Sequence, residues 1–256
     1  MHNLSIVFQG PADVRCSTLY LYLQRTRNTF PDAEIIVSTW HSTPTTDALL
    51  NARLARMGVR LILSNDPGPL TGHDISGRWT TNLNRLLCSA RAGLQAASRP
   101  LVIKLRTDTW LSSRALLDRI EQDVLRDAGP PRQEAFKVFS HRVINASWFA
   151  RDPKGSLPFL FHPGDILLAG KTEDVRLFFS APQADTSLFC PARMPGLWSA
   201  WRYVPEQWFW IHAIRQITGR LVYEGNFAHT PALVTASEQF YLANFVPHDH
   251  RIRYAM

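Results

Sequence analysis

Hydrophobic and polar residues alternate strictly over residues 101–107, which is the repeat of a β-strand. One face of this predicted strand carries leucine and isoleucine, and the other carries Val102, Lys104 and Arg106, with Asp108 following. Charged side chains are costly on a buried strand unless they contact water or a charged ligand. The pattern therefore indicates a strand with polar chemistry at its carboxyl end.

Strand and helix patterns alternate through the first 110 residues. The predicted strands cover residues 5–8, 34–40, 60–64 and 101–107. The predicted helices cover residues 14–26, 47–57 and 83–97, the last with Asn82 as its cap. Repeated strand–helix units are typical of a parallel, Rossmann-type sheet flanked by helices. An α/β fold is therefore expected.

The second half of the chain has a different pattern. A helix is predicted over residues 113–126, and shorter strands are predicted over residues 136–144, 159–161 and 166–169. A long proline-rich loop is predicted over residues 181–203. Pro205 then begins a helix, whose apolar face is formed by Trp210, Ile211, Ile214 and Ile217. No repeat or linker interrupts the chain, so residues 1–256 predict one compact domain.

Polar or small residues follow each predicted strand of the first half. In open α/β sheets, ligands bind at the carboxyl ends of the strands. Gln9-Gly10-Pro11 is either a ligand loop or an ordinary turn, and Asp66 before Pro67-Gly68 either faces a ligand or starts a turn. Trp40 ends the second strand. Convergence of four strand ends at one edge favours ligand binding there.

The fourth strand end carries the strongest charge grouping. Lys104 and Arg106 beside Asp108 suit a phosphate group and a divalent cation. Arg85, near the start of the preceding helix, either neutralises phosphate or is a solvent-exposed helix arginine. Asn82 is explained by helix capping.

Two carboxylates in the second half are candidate bases. Asp165 precedes an apolar strand, and Glu206 lies in the first turn of a helix, where the helix dipole favours the charged form. Glu206 either caps the helix or deprotonates an acceptor hydroxyl. His141, His162 and His229 lack the spacing of a hydrolytic zinc site, although His229 could contribute to a metal site from the C-terminal region.

Composition narrows the classes of partner. The chain has 28 basic and 21 acidic residues, a net charge of +7, which favours anionic partners. The basic residues are dispersed, so no nucleic-acid-binding arm is expected. Neither GxGxxG nor GxxxxGK[ST] occurs, which argues against dehydrogenases and P-loop enzymes. Eight Trp and fourteen Phe form either core or platforms for sugar rings.

Cysteine usage and hydropathy predict the compartment. Cys16, Cys88 and Cys190 are an odd number without metal-type spacing, and predict reduced, mostly buried thiols. No signal peptide or membrane-spanning segment is found. The expected protein is cytoplasmic, and it is either soluble or held at a membrane only by its surface.

Eight segments in order resemble the WavE family of bacterial lipopolysaccharide synthesis proteins. The matching segments are Val7-Phe8-Gln9-Gly10-Pro11, Glu34-Ile35-Ile36-Val37-Ser38-Thr39-Trp40, Asn65-Asp66-Pro67-Gly68, Asn82-Leu83-Asn84-Arg85, Lys104-Leu105-Arg106-Thr107-Asp108, Phe139-Ser140-His141-Arg142-Val143, Gly164-Asp165 and Pro205-Glu206-Gln207. The resemblance implies a GT-A-like mixed sheet flanked by helices and a glycosyltransferase acting on lipopolysaccharide or cell-surface polysaccharide. A lipid-linked acceptor would bring the protein to the inner membrane.

The resemblance also implies roles for individual residues. The donor base and ribose would lie across Gln9-Gly10-Pro11, Trp40 and Asp66. The donor diphosphate would be neutralised by Lys104 and Arg106, with Arg85 as a further candidate. Asn84 would also bind the donor, and Asp108 would place either a divalent cation or the donor ribose. Glu206, or failing it Asp165, would be the base, which predicts inversion at the anomeric carbon. Residues 1–112 would bind the nucleotide-sugar, and residues 113–256 the glycan or glycolipid acceptor. The alternative is a non-catalytic nucleotide- or glycan-binding protein with the same fold.

One departure from the GT-A pattern concerns the metal. Many GT-A enzymes have Asp-X-Asp where this chain has Arg106-Thr107-Asp108. Either Asp108, with His229 as a further candidate ligand, binds Mn²⁺ or Mg²⁺ through few protein ligands and more waters, or Arg106 and Lys104 bind the diphosphate without a metal ion.

Overall fold

Nine β-strands are present in the computed structural model, which describes residues 3–74, 77–127, 129–155, 159–189 and 201–248. Their bounds are β1 Leu4–Gln9, β2 Glu34–Trp40, β3 Val59–Ser64, β4 Leu70–Asp74, β5 Gly77–Thr81, β6 Leu101–Arg106, β7 Val143–Ala146, β8 Leu168–Lys171 and β9 Phe245–His248. Seven of them form one sheet in the order β3-β2-β1-β6-β8-β7-β9, and β4 pairs with β5. This confirms the predicted mixed α/β sheet.

The direction of the strands fixes where the strand ends lie. β1 runs parallel to β2 and β6, and β2 runs parallel to β3. β8 is antiparallel to both β6 and β7, and β7 is parallel to β9. Every strand of the large sheet except β8 therefore ends at the same edge, and β8 begins there.

Helices cover both faces of the sheet. They are α1 Ser17–Thr29, α2 Pro44–Arg56, α3 Leu83–Ala96, α4 Ala115–Arg119, α5 Thr172–Phe178, α6 Pro205–Thr218 and α7 Pro231–Asn244. Alternate strand residues pack into two cores. Val7 and Val102 pack on the side of α3, and Ile6 and Ile103 pack on the side of α1 and α2. Among the described residues, no helix is long and apolar enough to cross a membrane.

Helix starts differ from the prediction where capping decides them. α2 begins at Pro44, three residues before the predicted start. It begins there because the Thr43 hydroxyl oxygen accepts a hydrogen bond from the Thr46 N–H and caps the helix. α1 runs from Ser17 to Thr29, so it starts and ends three residues later than predicted. Asn82 occupies the cap position of α3, but its side chain makes no capping hydrogen bond.

Several predictions of individual elements and of burial were wrong, most of them in the second half of the chain. Residues 159–161 form no strand, β7 and β8 begin later than predicted, and the helix predicted over residues 113–126 begins at Ala115 and becomes a π-helix over Ile120–Leu125. The β4–β5 hairpin, α7 and β9 had no predicted counterpart. Ile217 is 51% exposed, and Cys16 is exposed, so neither is buried as predicted.

The predicted loop over residues 181–203 is described only in part. Its first nine residues contain a short 3₁₀ turn, Thr186–Leu188. Residues 190–200, including Cys190, lie outside the described residues.

Candidate functional site

A cavity of about 480 Å³ lies at the carboxyl ends of β1, β2 and β6. Its lining comes from the three strand ends, from the end of β5 and from the starts of α1, α3 and α6: Gln9, Gly10, Pro11, Cys16, Thr18, Leu19, Trp40, Thr81, Asn82, Leu83, Arg85, Leu86, Arg106, Thr107, Asp108 and Pro205. We call it the strand-end cavity. Its volume is within the range of small-molecule sites. It contains the predicted residues of three strand ends, while Asp66, at the fourth, is not among them.

The close approach of β1 to β6 requires glycine at position 10. Gly10 has a φ of +132°, which side chains rarely adopt, and a Cβ there would lie 3.0 Å from the Thr107 hydroxyl oxygen. The Gly10 N–H donates to the Ser38 carbonyl oxygen at 3.2 Å. The loop is therefore both a turn and part of the cavity wall.

Three helices begin at this cavity. Cys16 precedes α1, Asn82 precedes α3, and Pro205 is the first residue of α6. The first turn of a helix presents N–H groups and a partial positive charge, which attract anions. Sequence reasoning did not identify Cys16, Thr18 or Pro205 as part of the site. For Cys16 and Thr18 the signal is a helix that follows the end of a parallel strand.

Arg85 extends from α3 into the cavity wall and is held there by Asp66. The Arg85 Nε and Nη2 atoms donate to the two Asp66 carboxylate oxygens at 2.7 and 2.5 Å. The Arg85 hydrogen bond lowers the pKa of Asp66, opposed in part by burial. Asp66 also accepts from the Gly68 N–H at 2.9 Å, so it does start a turn. Trp40 donates its indole N–H to the Arg85 carbonyl oxygen at 3.2 Å.

Arg106 and Asp108 form a second bidentate pair at the cavity. The Arg106 Nε and Nη2 atoms lie 3.0 and 2.6 Å from the Asp108 oxygens. Among the described residues, no three His, Cys, Asp or Glu side chains form a group that could hold a metal ion. His229 is exposed and its Nε2 lies 3.2 Å from the Pro153 carbonyl oxygen. The donor set here does not fit a protein-enclosed metal site.

Lys104 does not lie in the cavity, contrary to the prediction that it binds diphosphate. Its side chain is fully buried, and its ammonium group lies 3.4 Å from an Asp165 carboxylate oxygen and donates to the Asp165 carbonyl oxygen. Burial lowers the pKa of Lys104 and raises the pKa of Asp165, while the attraction between them acts the other way. The partner carboxylate, 61 positions further along the chain, explains how β6 accommodates the buried charge of Lys104.

Asn84 is likewise a structural residue rather than part of the cavity lining. Its side-chain amide donates to the Ala184 carbonyl oxygen at 2.9 Å and accepts from the Ala184 N–H at 2.8 Å. Both bonds are buried. Asn84 therefore fixes the loop after α5 against α3, and it is not among the residues that line the strand-end cavity, so its role in donor binding stays a prediction.

Glu206 lies beside the cavity, one residue after Pro205. Its carboxylate oxygen is 3.4 Å from the His162 Nε2 atom. Burial tends to raise the pKa of Glu206, but the hydrogen bond and charge of His162 outweigh it, and the pKa is lowered. Glu206 is therefore ionised near neutral pH, as a base that accepts a proton must be.

Gln9 brings an unpartnered acceptor to the cavity. Its Nε2 atom donates to the Ser89 hydroxyl oxygen at 2.9 Å, and that hydroxyl donates to the Arg85 carbonyl oxygen. This arrangement fixes which end of the Gln9 amide carries the oxygen. Its Oε1 atom is buried and has no hydrogen-bond partner among the described residues, so a ligand N–H or O–H could bind it.

Comparison with known proteins identifies a family and a group of similar structures. The family model described as WavE lipopolysaccharide synthesis matches residues 4–253. A search of curated protein sequences finds no significant match.

Two of the solved structures to which this chain is similar carry the names of glycosyl-transferring enzymes. The galactosyltransferase LgtC, in complex with donor and acceptor sugar analogues, has 15% sequence identity and a TM-score of 0.39. The alignment covers 67% of this chain and 59% of LgtC, so this chain spans less than two thirds of that protein's length. Glucosyl-3-phosphoglycerate synthase from Mycobacterium tuberculosis, in complex with Mn²⁺, UDP and glucosyl-3-phosphoglycerate, has 15% identity and a TM-score of 0.42, covering 84% of this chain and 66% of that one.

Proposed function

The chain belongs to the WavE lipopolysaccharide synthesis family, and from that premise we propose that it is a nucleotide-sugar-dependent glycosyltransferase. Its acceptor is a lipopolysaccharide or another cell-surface polysaccharide. The observation that carries the proposal is the strand-end cavity, where two arginines and the first turns of three helices converge. Arginine side chains and helix N-termini are the groups that bind phosphate oxygens in proteins, and here Asp66 and Asp108 hold the two arginines in place.

Each part of the donor has a matching region of the cavity. The nucleoside lies against the Gln9-Gly10-Pro11 loop and Trp40, where a buried acceptor and an aromatic ring are available. The diphosphate lies between Arg85 and Arg106. Asp66 orients Arg85 without itself lining the cavity.

In the proposed transfer step these groups act together with Glu206. The acceptor hydroxyl oxygen forms a bond to the anomeric carbon, and the bond from that carbon to the donor phosphate oxygen breaks. The leaving nucleoside diphosphate takes the electron pair, and Arg85 and Arg106 stabilise its charge. Glu206 receives the hydroxyl proton, and attack opposite the leaving group inverts the anomeric centre. Asp165 is the second candidate for the base, although its pairing with Lys104 disfavours it.

No step is assigned to a metal ion. Asp108 is paired with Arg106, and the described residues supply no set of three ligands. A cation at Asp108 would take its remaining ligands from the diphosphate and water.

The test is thermal stability measured with UDP-, GDP-, CMP- and dTDP-sugars, with and without Mg²⁺ or Mn²⁺. A ligand of the folded state raises the unfolding midpoint. We expect one nucleotide class to do so, and Arg106→Ala to weaken binding by roughly tenfold or more, as loss of charge-assisted hydrogen bonds predicts. The matched control is Arg56→Ala on the exposed face of α2. No shift with any nucleotide would overturn the proposal.

The same nucleotide-sugars, incubated with a glycan acceptor, distinguish an enzyme from a non-catalytic binding protein. Nucleotide binding followed by release of nucleoside diphosphate with a glycan acceptor supports a transferase. Binding without transfer to any lipopolysaccharide acceptor would instead favour the non-catalytic alternative.

We also propose a location at the cytoplasmic face of the inner membrane. The net charge of +7 suits an anionic lipid surface, and a glycolipid acceptor would be presented there. Co-sedimentation with vesicles containing anionic lipid, compared with neutral vesicles, tests this location.

A further inference from the structure

A second cavity, of about 530 Å³, lies at the same edge of the sheet as the strand-end cavity. Ser147 follows the last residue of β7 and Pro247 lies near the end of β9, and both contribute to its lining. β6 and β7 are both antiparallel to β8, and β9 is parallel to β7. The ends of β7 and β9 therefore lie at the same edge of the sheet as the end of β6. We call this the β7–β9 cavity. The sequence analysis did not predict this cavity.

The chain segment that leads into β8 lies between the two cavities. His162 lines the β7–β9 cavity, and its Nε2 atom lies 3.4 Å from the Glu206 carboxylate. Pro205, the neighbour of Glu206, lines the strand-end cavity. Asp165 is tied to β6 by Lys104. The Glu206–His162 pair therefore connects the two cavities.

The lining of the β7–β9 cavity combines aromatic rings with hydrogen-bonding groups. Phe161, Trp210 and Tyr241 contribute to it, together with Ser237 and Glu238. A pyranose ring packs its C–H face against aromatic carbon and directs its hydroxyls to polar groups, which is the mixed composition expected of such a site.

Tyr241 is already fixed in one orientation. Its hydroxyl donates to the Asn145 side-chain oxygen at 3.0 Å, and its ring stacks on Phe245 with the centroids 5.4 Å apart. A ring held in this way loses little conformational freedom when a ligand binds.

Two further observations at this cavity point to a ligand. The His162 side chain is 8% exposed, and its Nδ1 atom has no hydrogen-bond partner among the described residues. Whichever protonation state His162 has, that atom is a donor or an acceptor that needs a partner. Phe161 has a φ of +54°, unusual for a bulky residue, and such strain is concentrated at binding sites.

We propose that the β7–β9 cavity binds a sugar unit of the glycan acceptor and presents its hydroxyl towards Glu206. This proposal rests on the proposed transferase function and adds the acceptor site to it. The carboxylate of Glu238 accepts hydrogen bonds from the sugar hydroxyls, while Lys154 holds Glu238 in place at 2.7 Å. A hydroxyl of the sugar also supplies the missing partner of His162.

The experiment measures binding of two probes to the full chain. The first probe is deacylated lipopolysaccharide core oligosaccharide, and the second is the nucleotide-sugar that stabilises the wild type. Ala150→Trp places a large side chain in the β7–β9 cavity, and Ala52→Trp on the exposed face of α2 is the matched control. Glu238→Gln is compared with Glu224→Gln, which lies outside both cavities.

We expect the two probes to separate the two sites. Ala150→Trp abolishes binding of the oligosaccharide and leaves the nucleotide affinity unchanged, whereas Arg106→Ala weakens nucleotide binding by roughly tenfold or more and leaves oligosaccharide binding unchanged. Glu238→Gln weakens oligosaccharide binding by roughly tenfold, because a charge-assisted hydrogen bond becomes a neutral one. Glu224→Gln and Ala52→Trp bind both probes like the wild type.

Each failure has a distinct meaning. Oligosaccharide binding that persists in a folded Ala150→Trp variant would overturn the assignment of this cavity. Nucleotide binding by the wild type without any oligosaccharide binding would also overturn it, while the transferase proposal would stand. Absence of nucleotide binding would overturn the transferase proposal itself.

Discussion

The Lys104 ammonium group in β6 lies 3.4 Å from the Asp165 carboxylate just before β8, and both side chains are shielded from solvent. This buried ion pair joins the two strands that link the halves of the sheet. Removing one member leaves an uncompensated buried charge, which is far more costly than losing the attraction alone.

Lys104→Met should lower the free energy of unfolding by about 3–5 kcal/mol for this reason. The double variant Lys104→Met/Asp165→Leu should recover part of the loss, since no lone charge remains. Urea unfolding measures both. Lys137→Met, at an exposed pair with Glu134, should change little. Equal losses in the single and double variants would contradict this account.

Glu206→Gln should reduce the rate of sugar transfer about 10²–10⁴-fold, the usual range for loss of a general base. Its nucleotide affinity should stay close to that of the wild type, because Glu206 does not line the strand-end cavity. Since the pKa of Glu206 is lowered, the base form persists below its ordinary range, and activity should not fall until the pH is below about 4.5. A pH–rate profile checks this, with Glu224→Gln as the control.

Asn84→Ala should lower the free energy of unfolding by about 1–3 kcal/mol, because the buried N–H and carbonyl oxygen of Ala184 lose their partners. Nucleotide affinity should be unaffected in the folded protein. Chemical denaturation and nucleotide titration measure the two effects separately. The exposed Asn51→Ala is the control, and weakened nucleotide binding by Asn84→Ala would restore a direct role in donor binding.

Gly10→Ala should weaken nucleotide binding as well as stability. The new Cβ would meet the Thr107 hydroxyl at 3.0 Å and displace the loop that lines the strand-end cavity. Gly77→Ala is a matched control, since its φ of +123° imposes a similar backbone strain while no atom lies within 4 Å of a Cβ there. If both variants bind nucleotide equally well, the loop does not shape the donor site.

The stability supplied by Glu34 should disappear in acid. Burial tends to raise the pKa of Glu34, but hydrogen bonds from Ser5 and Ser98 outweigh it, and the pKa is lowered. The stability that Glu34 contributes is therefore complete above its pKa in the unfolded chain, about 4.5. It is lost as the pH falls through the lower pKa of the folded protein. Urea unfolding should show that Glu34→Gln is less stable than the wild type at pH 7, with the difference shrinking towards pH 3. A constant difference would contradict the linkage.

Local patterns predicted the first half of the fold well. The strict alternation in β6 and the repeated strand–helix units depend on neighbouring residues, so β1, β2, β3 and β6 were found close to their observed bounds. In the second half, β7 and β9 have four residues each and pair across about a hundred positions. Strands that short carry too little periodicity to be recognised without their partners.

The sequence by itself determined which polar residues come to the edge of the sheet, because parallel strands bring their carboxyl ends together. Gln9, Trp40, Arg106 and Asp108 were found in this way. Only the tertiary structure decided which charged side chains are buried in the core and which lie at the cavity. Lys104 is neutralised in the core by a carboxylate 61 residues away, while Arg85 is held at the cavity by Asp66. The neighbours that bury or expose a charged side chain are distant in the chain, and burial decides whether that charge stabilises the fold or binds a ligand.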